Sequence, residues 1–159
     1  MKVAVVANPR NAQAPPVLKS IYDALVARGI EPVLEKESAE LIGKPGLERA
    51  WEGAEMVISL GGDGTFLNTV HKMGNCDVPV AGVNIGTLGF LTACTAADVE
   101  EFAAVIAKRK HAVVMRAVLQ VSMTDETGKD HVFMALNEVV LMRGGTGRLI
   151  SLEARVNGE

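Results

Sequence analysis

Cysteine is scarce in this chain: Cys76 and Cys94 are the two it has in 159 residues. They are too few for a disulfide framework and stand at neither CxxC nor zinc-site spacing, which excludes a disulfide-stapled or zinc-ribbon scaffold and favours a reducing compartment. Basic charge is not in surplus either. Lys and Arg number 16 against 19 Asp and Glu, a formal net charge of -3, which argues against nucleic acid or an anionic membrane as the main partner while leaving room for a small anionic ligand held by local donors. No apolar run approaches the roughly 20 residues of a membrane span, and the start, "MKVAVVANPR", has no signal-type apolar core with a cleavage pattern behind it. The expectation is a soluble, cytoplasmic protein. His71, His111 and His131 have no metal spacing and no adjacent nucleophile, so they read as surface or core residues. There is no internal repeat and no low-complexity segment.

What is present is apolar substance in short, punctuated pieces. At 48% hydrophobic residues the chain can bury a substantial core. "KVAVVAN", residues 2 to 8, ends at Asn8-Pro9 and reads as a parallel strand buried on both faces. From Pro15, the residues Leu18, Ile21, Tyr22, Leu25 and Val26 repeat at helical spacing, with Gly29 where a helix stop is wanted. "EPVLEK" is a second strand, a helical turn is expected around Leu47 to Trp51, and "MVISL" at 56 to 60 is a third strand. Phe66, Leu67, Val70 and Met73 then form a helical face, "VPVAGVN" at 78 to 84 is another strand, and "TAADVEEFAAVIAKRK" is a helix with Thr95 and Asp98 at capping-box spacing. This alternation predicts an α/β fold: a Rossmann-like, mostly parallel sheet with flanking helices over residues 1–110. From 111 to 159 the texture changes to three expected strands, 112–124, 131–142 and 147–157, the opening strands of an antiparallel β domain.

The stretch "VISLGGDGTFLNTV", residues 57 to 70, joins the third expected strand to a helix through three glycines set around one aspartate. Ligands of open α/β sheets bind at the carboxyl ends of strands, where helix N-termini offer free N–H donors. The turn is not a P-loop, because no lysine follows the second glycine of such a pattern, and it is not G-x-G-x-x-G, because residue 67 is Leu. Asp63 among phosphate-cradling amides would repel a phosphate unless it had another task. It could cap its own helix, accept a proton from an attacking hydroxyl, or help hold Mg²⁺.

"GGDGTFL" at 61 to 67, "NIGTLGFL" at 84 to 91 and "LNEVVL" at 136 to 141 occur together in the order that resembles the NAD kinases, which use ATP or polyphosphate. The first motif alone is shared with diacylglycerol, sphingosine and 6-phosphofructokinases; the combination is specific to the NAD kinases, and the likeness runs from the first strand to the last residue. It implies phosphorylation of the 2′-hydroxyl on the adenosine ribose of NAD, with Mg²⁺ or another divalent cation bridging the donor phosphates. On that resemblance Asp63 is the base facing the hydroxyl, and Gly62, Gly64 and Thr65 line the phosphate side of the cleft. Asn68, expected in the first turn of the following helix, faces the same cleft or solvent. Phe90 resembles the apolar wall beside the adenine, though as an aromatic it could equally be core. Asn137 and Glu138 interrupt the apolar "FMALNEVVLM", where a desolvated polar pair needs partners, and the resemblance makes those partners ribose hydroxyls of NAD. Arg148 matches a nucleotide contact or a solvated strand end. Arg116 follows Met115 where the family carries an acidic residue, and is read as structural.

One departure from the family pattern bears on activity. Its chains continue into a β-rich domain with a Thr-Gly-Ser-Thr-Ala-Tyr stretch that does not occur here. The 111–159 region therefore reads as truncated, either a fragment or a naturally short chain, and the 159 residues alone are expected to be inactive and to self-associate as a homo-oligomer. Two alternatives stand beside the kinase reading. One is a lipid or sugar kinase sharing the GGDG turn; the other is a non-catalytic nucleotide-binding or assembly module.

Overall fold

The computed structural model describes residues 1–87, 89–142, 149 and 151–159. By its contacts the chain divides into two compact units, Met1–Met115 and Arg116–Glu159.

The first unit runs β1 (Lys2–Ala7), α1 (Ala14–Val26), β2 (Glu31–Glu35), α2 (Lys36–Glu40), β3 (Gly46–Leu47), β4 (Met56–Gly61), α3 (Asp63–Met73), β5 (Val80–Asn84), β6 (Thr92–Thr95), a 3₁₀ turn over Ala96–Asp98 and α4 (Val99–Ala107). The six strands form one sheet in the order β3-β2-β1-β4-β5-β6, and every neighbouring pair is parallel. The β1 strand is buried on both faces, as its unbroken apolar run predicts. Val3, Val5 and Ala7 join α1 and α4 in one core layer, while Ala4 and Val6 join Trp51, Val57 and Met73 in the other. Burying each such Val or Leu side chain is worth about 1.5–3 kcal/mol.

Local signals place the helix ends. Two prolines stand in the first turn of α1, where a missing N–H costs nothing. At its far end Gly29 adopts a left-handed φ of 71°, which returns its own N–H to Val26 O and that of Ile30 to Leu25 O. The Thr95–Asp98 capping box forms, with Thr95 N–H and Oγ1 both donating to Asp98 Oδ2 at 2.9 and 2.6 Å.

Three expectations about elements change. The segment around Leu47–Trp51 is a two-residue strand followed by turns rather than a helical turn. The helix expected to run to Lys110 stops at Ala107, and Arg109 turns the chain with φ 52°. A strand absent from the sequence reading, β6, adds to the sheet edge with an irregular register at Gly82/Val83.

The second unit holds β7 (Leu119–Thr124) and β8 (Asp130–Ala135), paired antiparallel from Leu119↔Ala135 to Thr124↔Asp130. The turn between them is built on Asp125, whose carboxylate accepts from Thr127 N–H at 2.9 Å, Thr127 Oγ1 at 2.6 Å and Lys129 N–H at 3.1 Å. The expected strands are longer than the observed ones: 112–118 and 136–142 are unpaired, and no strand forms among the described residues 149 and 151–159. A strand needs a partner for its N–H and C=O groups, and apolar composition alone does not supply one.

Candidate functional site

The strand order places a topological switch point between β1 and β4: the chain builds outward from β1 through β2 and β3, then returns to β4 and builds the other way. Crevices for ligands open at such a point, outside the strand C-termini. There β4 runs into Gly62 and α3 begins at once with Asp63. The turn closes through Thr65 N–H and Phe66 N–H, both donating to Gly62 O at 3.0 and 3.1 Å. The remaining first-turn N–H groups have no intrahelical acceptor. The glycine turn thus presents donors and a helix N-terminus outward.

Asp63 does not cap its helix. Gly62 occupies the N-cap position and no side-chain cap bond forms. Instead the carboxylate reaches to the second glycine-bearing loop: Phe90 N–H donates to Oδ2 and Leu91 N–H to Oδ1, each at 2.9 Å. The turn after β4 and the loop after β5 are neighbours because those strands pair in register up to Gly61↔Asn84.

Glycines in the two loops serve different ends. At Gly61 a Cβ would overlap the Thr65 side chain, coming within 2.8 Å of Cγ2 and closer to Cβ and Oγ1. Gly62, Gly64 and Gly86 face open space, with nothing within 4 Å of a built Cβ, and none has a positive φ. The fold itself does not demand glycine there, so the room they leave is available to something outside the chain.

Sequence reading passed over Asn84. It is 3% exposed, its Nδ2 donates to Thr87 O at 2.9 Å and its Oδ1 accepts from Gly86 N–H at 2.7 Å. It shapes the loop that meets Asp63. Its signal was an amide at a strand end followed two residues later by glycine, the pattern of an Asx-type turn.

The α3 helix that carries Asp63 is anchored along its length. The Thr69 hydroxyl, fully buried, back-bonds to Thr65 O at 2.8 Å and lies 3.0 Å from the Ser59 hydroxyl of β4. In the last turn, Lys72 Nζ donates to Glu35 Oε1 at 2.8 Å and lies 3.3 Å from Glu37 Oε2. Glu35, 5% exposed, also accepts from Ser38 N–H and Oγ at 3.2 and 3.0 Å, while Ser38 Oγ accepts from Ala7 N–H at 2.8 Å. The hydrogen bond to Glu35 raises the Lys72 pKa above its ordinary value. This network ties the ends of β1 and β2 to α3.

The other predicted site residues are placed as follows. Thr65 is half-buried, its side chain against Gly61. Asn68 is exposed in the second turn of α3, not the first. Phe90 is 98% exposed, which removes its reading as a core aromatic. Asn137 and Glu138 lie beyond the end of β8 and are exposed, so they do not form a desolvated pair inside a strand. They belong to the second unit. Arg148 lies outside the described residues. Among the described residues no group of three or more His, Cys, Asp or Glu could hold a metal. The Cys94 thiol, half-buried, is pushed up to about 11 by burial, with Asp98 adding to the effect, so it is no nucleophile. Among the described residues no helix is long and apolar enough to cross a membrane.

Comparison with known proteins bears on the same turn. The family model "ATP-NAD kinase N-terminal domain" matches residues 3–112. The NAD kinase of Geotalea daltonii is 31% identical over 99% of this chain and 56% of its own length; that of Sulfurimonas denitrificans is 32% identical over 98% and 55%. The chain therefore spans about half the length of the curated relatives it matches. In fold it is similar to yeast NADH kinase complexed with NADH, with TM-score 0.73 and 21% identity over 86% of this chain and 47% of that one. It is similar also to an NAD kinase from Archaeoglobus fulgidus in complex with ATP, with TM-score 0.52 and 24% identity over 77% and 41%. With the family model covering most of the α/β unit, the GGDGT turn after β4 and the loop after β5, the chain belongs to the NAD kinase family.

Proposed function

We propose that this chain contributes the catalytic turn of an NAD kinase, which transfers a phosphoryl group from ATP or polyphosphate to the 2′-hydroxyl of the adenosine ribose of NAD. The observation that carries this reading is the Asp63 carboxylate at the switch point, half-buried, oriented by two backbone N–H groups and flanked by Gly62 and Gly64 that face open space. Each carboxylate oxygen has two acceptor sites. One on each is taken by an N–H, which leaves the other for an incoming hydroxyl.

In the proposed step the 2′-oxygen forms a bond to the terminal phosphorus, the bond from that phosphorus to the bridging oxygen breaks, and the hydroxyl proton passes to Asp63. The products are NADP and ADP, or a polyphosphate shortened by one unit. The transition state is loose, so positioning and charge neutralisation dominate and the base acts late. Free N–H groups at the start of α3, with Gly62, Gly64 and Thr65, face the phosphates. Phe90 offers its exposed ring to the adenine, and Asn68, Asn137, Glu138 and Arg148 bind the nucleotide. With no acidic cluster to cage it among the described residues, a divalent cation such as Mg²⁺ would be held by the donor phosphates and water and would supply charge neutralisation there. Two unpaired cysteines, Cys76 and Cys94, suit a cytoplasmic setting.

For the 159 residues alone we expect little NADP, because half a cleft does not hold two nucleotides in line. We also expect self-association. Among the described residues β7 and β8 pair only with each other, and Val132, Phe133 and Met134 are each at least half exposed. The test incubates the chain, and a version extended by any native continuation, with NAD, Mg²⁺ and either ATP or polyphosphate, and measures NADP. No NADP from either form with either donor would refute the kinase reading. A monodisperse monomer by chromatography with light scattering would refute self-association.

A further inference from the structure

Gly89 has no positive φ that would require glycine, and yet it has no room for a side chain. A Cβ built there would come within 2.6 Å of Asp63 Oδ2 and closer still to Oδ1 and Cγ. The carboxylate lies directly on the bare Cα of residue 89. The two peptide groups that follow, at Phe90 and Leu91, aim their N–H bonds one at each carboxylate oxygen. We propose that Gly89 is a positioning residue for Asp63: the bare Cα is the seat that lets the carboxylate reach both N–H groups, and turnover depends on residue 89 through the orientation of Asp63.

The argument is steric and then electrostatic. Asp63 is a short side chain at the end of two rotatable bonds, so a methyl group at residue 89 would swing the carboxylate off its seat rather than force the backbone apart. One or both hydrogen bonds to Phe90 and Leu91 would then be lost, and with them the direction in which the free acceptor sites point. A misplacement of about 1 Å can cost on the order of 100-fold in rate without changing which groups are present.

The proposal rests on the reading of Asp63 as base, so the experiment has one readout that needs no activity. In the isotope-labelled chain, the amide protons of Phe90 and Leu91, both bonded to the Asp63 carboxylate, should exchange slowly with solvent; in Gly89→Ala one or both should exchange at least about 10-fold faster. In the full-length chain with ATP, Mg²⁺ and NAD, Gly89→Ala should lower kcat by about 30-fold or more while KM for NAD stays within about threefold. Combined with Asp63→Asn, it should add no more than about a twofold loss, because both act through one group. Should Gly89→Ala melt early, Asp63→Ala in the same chain should restore the melting temperature by removing the clash.

Phe90 and Leu91 amides that keep their wild-type exchange rates in Gly89→Ala would overturn the proposal. So would a kcat within threefold of wild type, an effect that multiplies with Asp63→Asn, or a melting defect that Asp63→Ala does not relieve. A full-length wild-type chain that forms no NADP with either ATP or polyphosphate would overturn the kinase reading instead, and the amide exchange would still decide the seat.

Discussion

The strand β4 reads MVISLG and β8 reads DHVFMA. Both carry a run of apolar residues that composition alone would bury. All six residues of β4 are buried, with β1 and β5 on either edge and a core layer on each face. In β8 the apolar stretch stays open: Val132 is 61% and Met134 54% exposed. The lesson is that an apolar run reports a strand's readiness to pair, and burial depends on how many elements arrive to cover it. The α/β unit meets that condition within residues 1–115, and the glycine turn follows its most deeply buried strand.

The comparison can be broken first at the site. Asp63→Asn in the complete enzyme should keep NAD binding and lose about 10²- to 10⁴-fold in turnover, the range of general-base assistance. Turnover within a few-fold of wild type would remove Asp63 as the base and with it the claim that chemistry belongs to the first unit. A second test sets core against hairpin. Ile58, 0% exposed in β4, should cost about 2–5 kcal/mol when replaced by Ala. Phe133→Ala, at a half-exposed position, should cost about 1 kcal/mol or less in denaturant titrations of the same chain. Equal losses would mean that the hairpin is covered in solution.

The third test concerns binding. Asn137→Ala should weaken NAD by about 1–3 kcal/mol with less effect on ATP, measured by calorimetry in the complete enzyme. Equal weakening of both nucleotides, or of neither, would count against a ribose contact. The last test concerns Lys72, whose ammonium is partly exposed. Replacing it by Met should destabilise the α/β unit by about 1–2 kcal/mol, because Glu35 loses its charged partner. Since the hydrogen bond to Glu35 raises the Lys72 pKa, this contribution is complete below the unfolded value of about 10.4 and is lost as pH rises through the folded one. The stability difference between wild type and variant should be level from pH 7 to 9 and shrink above about pH 10.4. A difference that shrank at neutral pH would assign it to another group.

Much of the α/β unit was legible in the residue order. The spacing of Leu18, Ile21 and Leu25 gave α1, and Thr95 with Asp98 gave the entry to α4, because both signals are complete within a turn or two of chain. The glycine turn was placed correctly between a strand and a helix for the same reason. Less legible were β3 and β6, two and four residues long, too short to show a period. The 3₁₀ turn at Ala96–Asp98 hid inside a helical pattern. The region after residue 111 was over-read, since four apolar residues in a row, as at 112–115 and 139–142, look like a strand whether or not a partner exists. At the site, Asp63 stood out as a conflict between a carboxylate and a phosphate-type turn. Its hydrogen-bond partners, Phe90 and Leu91, stand 27 and 28 residues away and could not be read from local pattern.

By itself the sequence determined the alternation of strands and helices, the parallel character of the sheet, the glycine turn with its single aspartate, and the three motifs that resemble one kinase family. These are properties of short windows, where periodicity, capping and glycine content act between neighbours. Only the tertiary structure decided that β4 pairs with β1 on one side and β5 on the other, so that the turn lies at the switch point and Asp63 meets the loop after β5. It alone decided that Phe90 stands in solvent, that Asn137 and Glu138 fall beyond a strand end, and that Glu35, Ser38 and Lys72 close one network. Strand order and side-chain partnership depend on which distant segments share a core, and the free energy that selects them is the burial of the whole sheet rather than the preference of any one stretch.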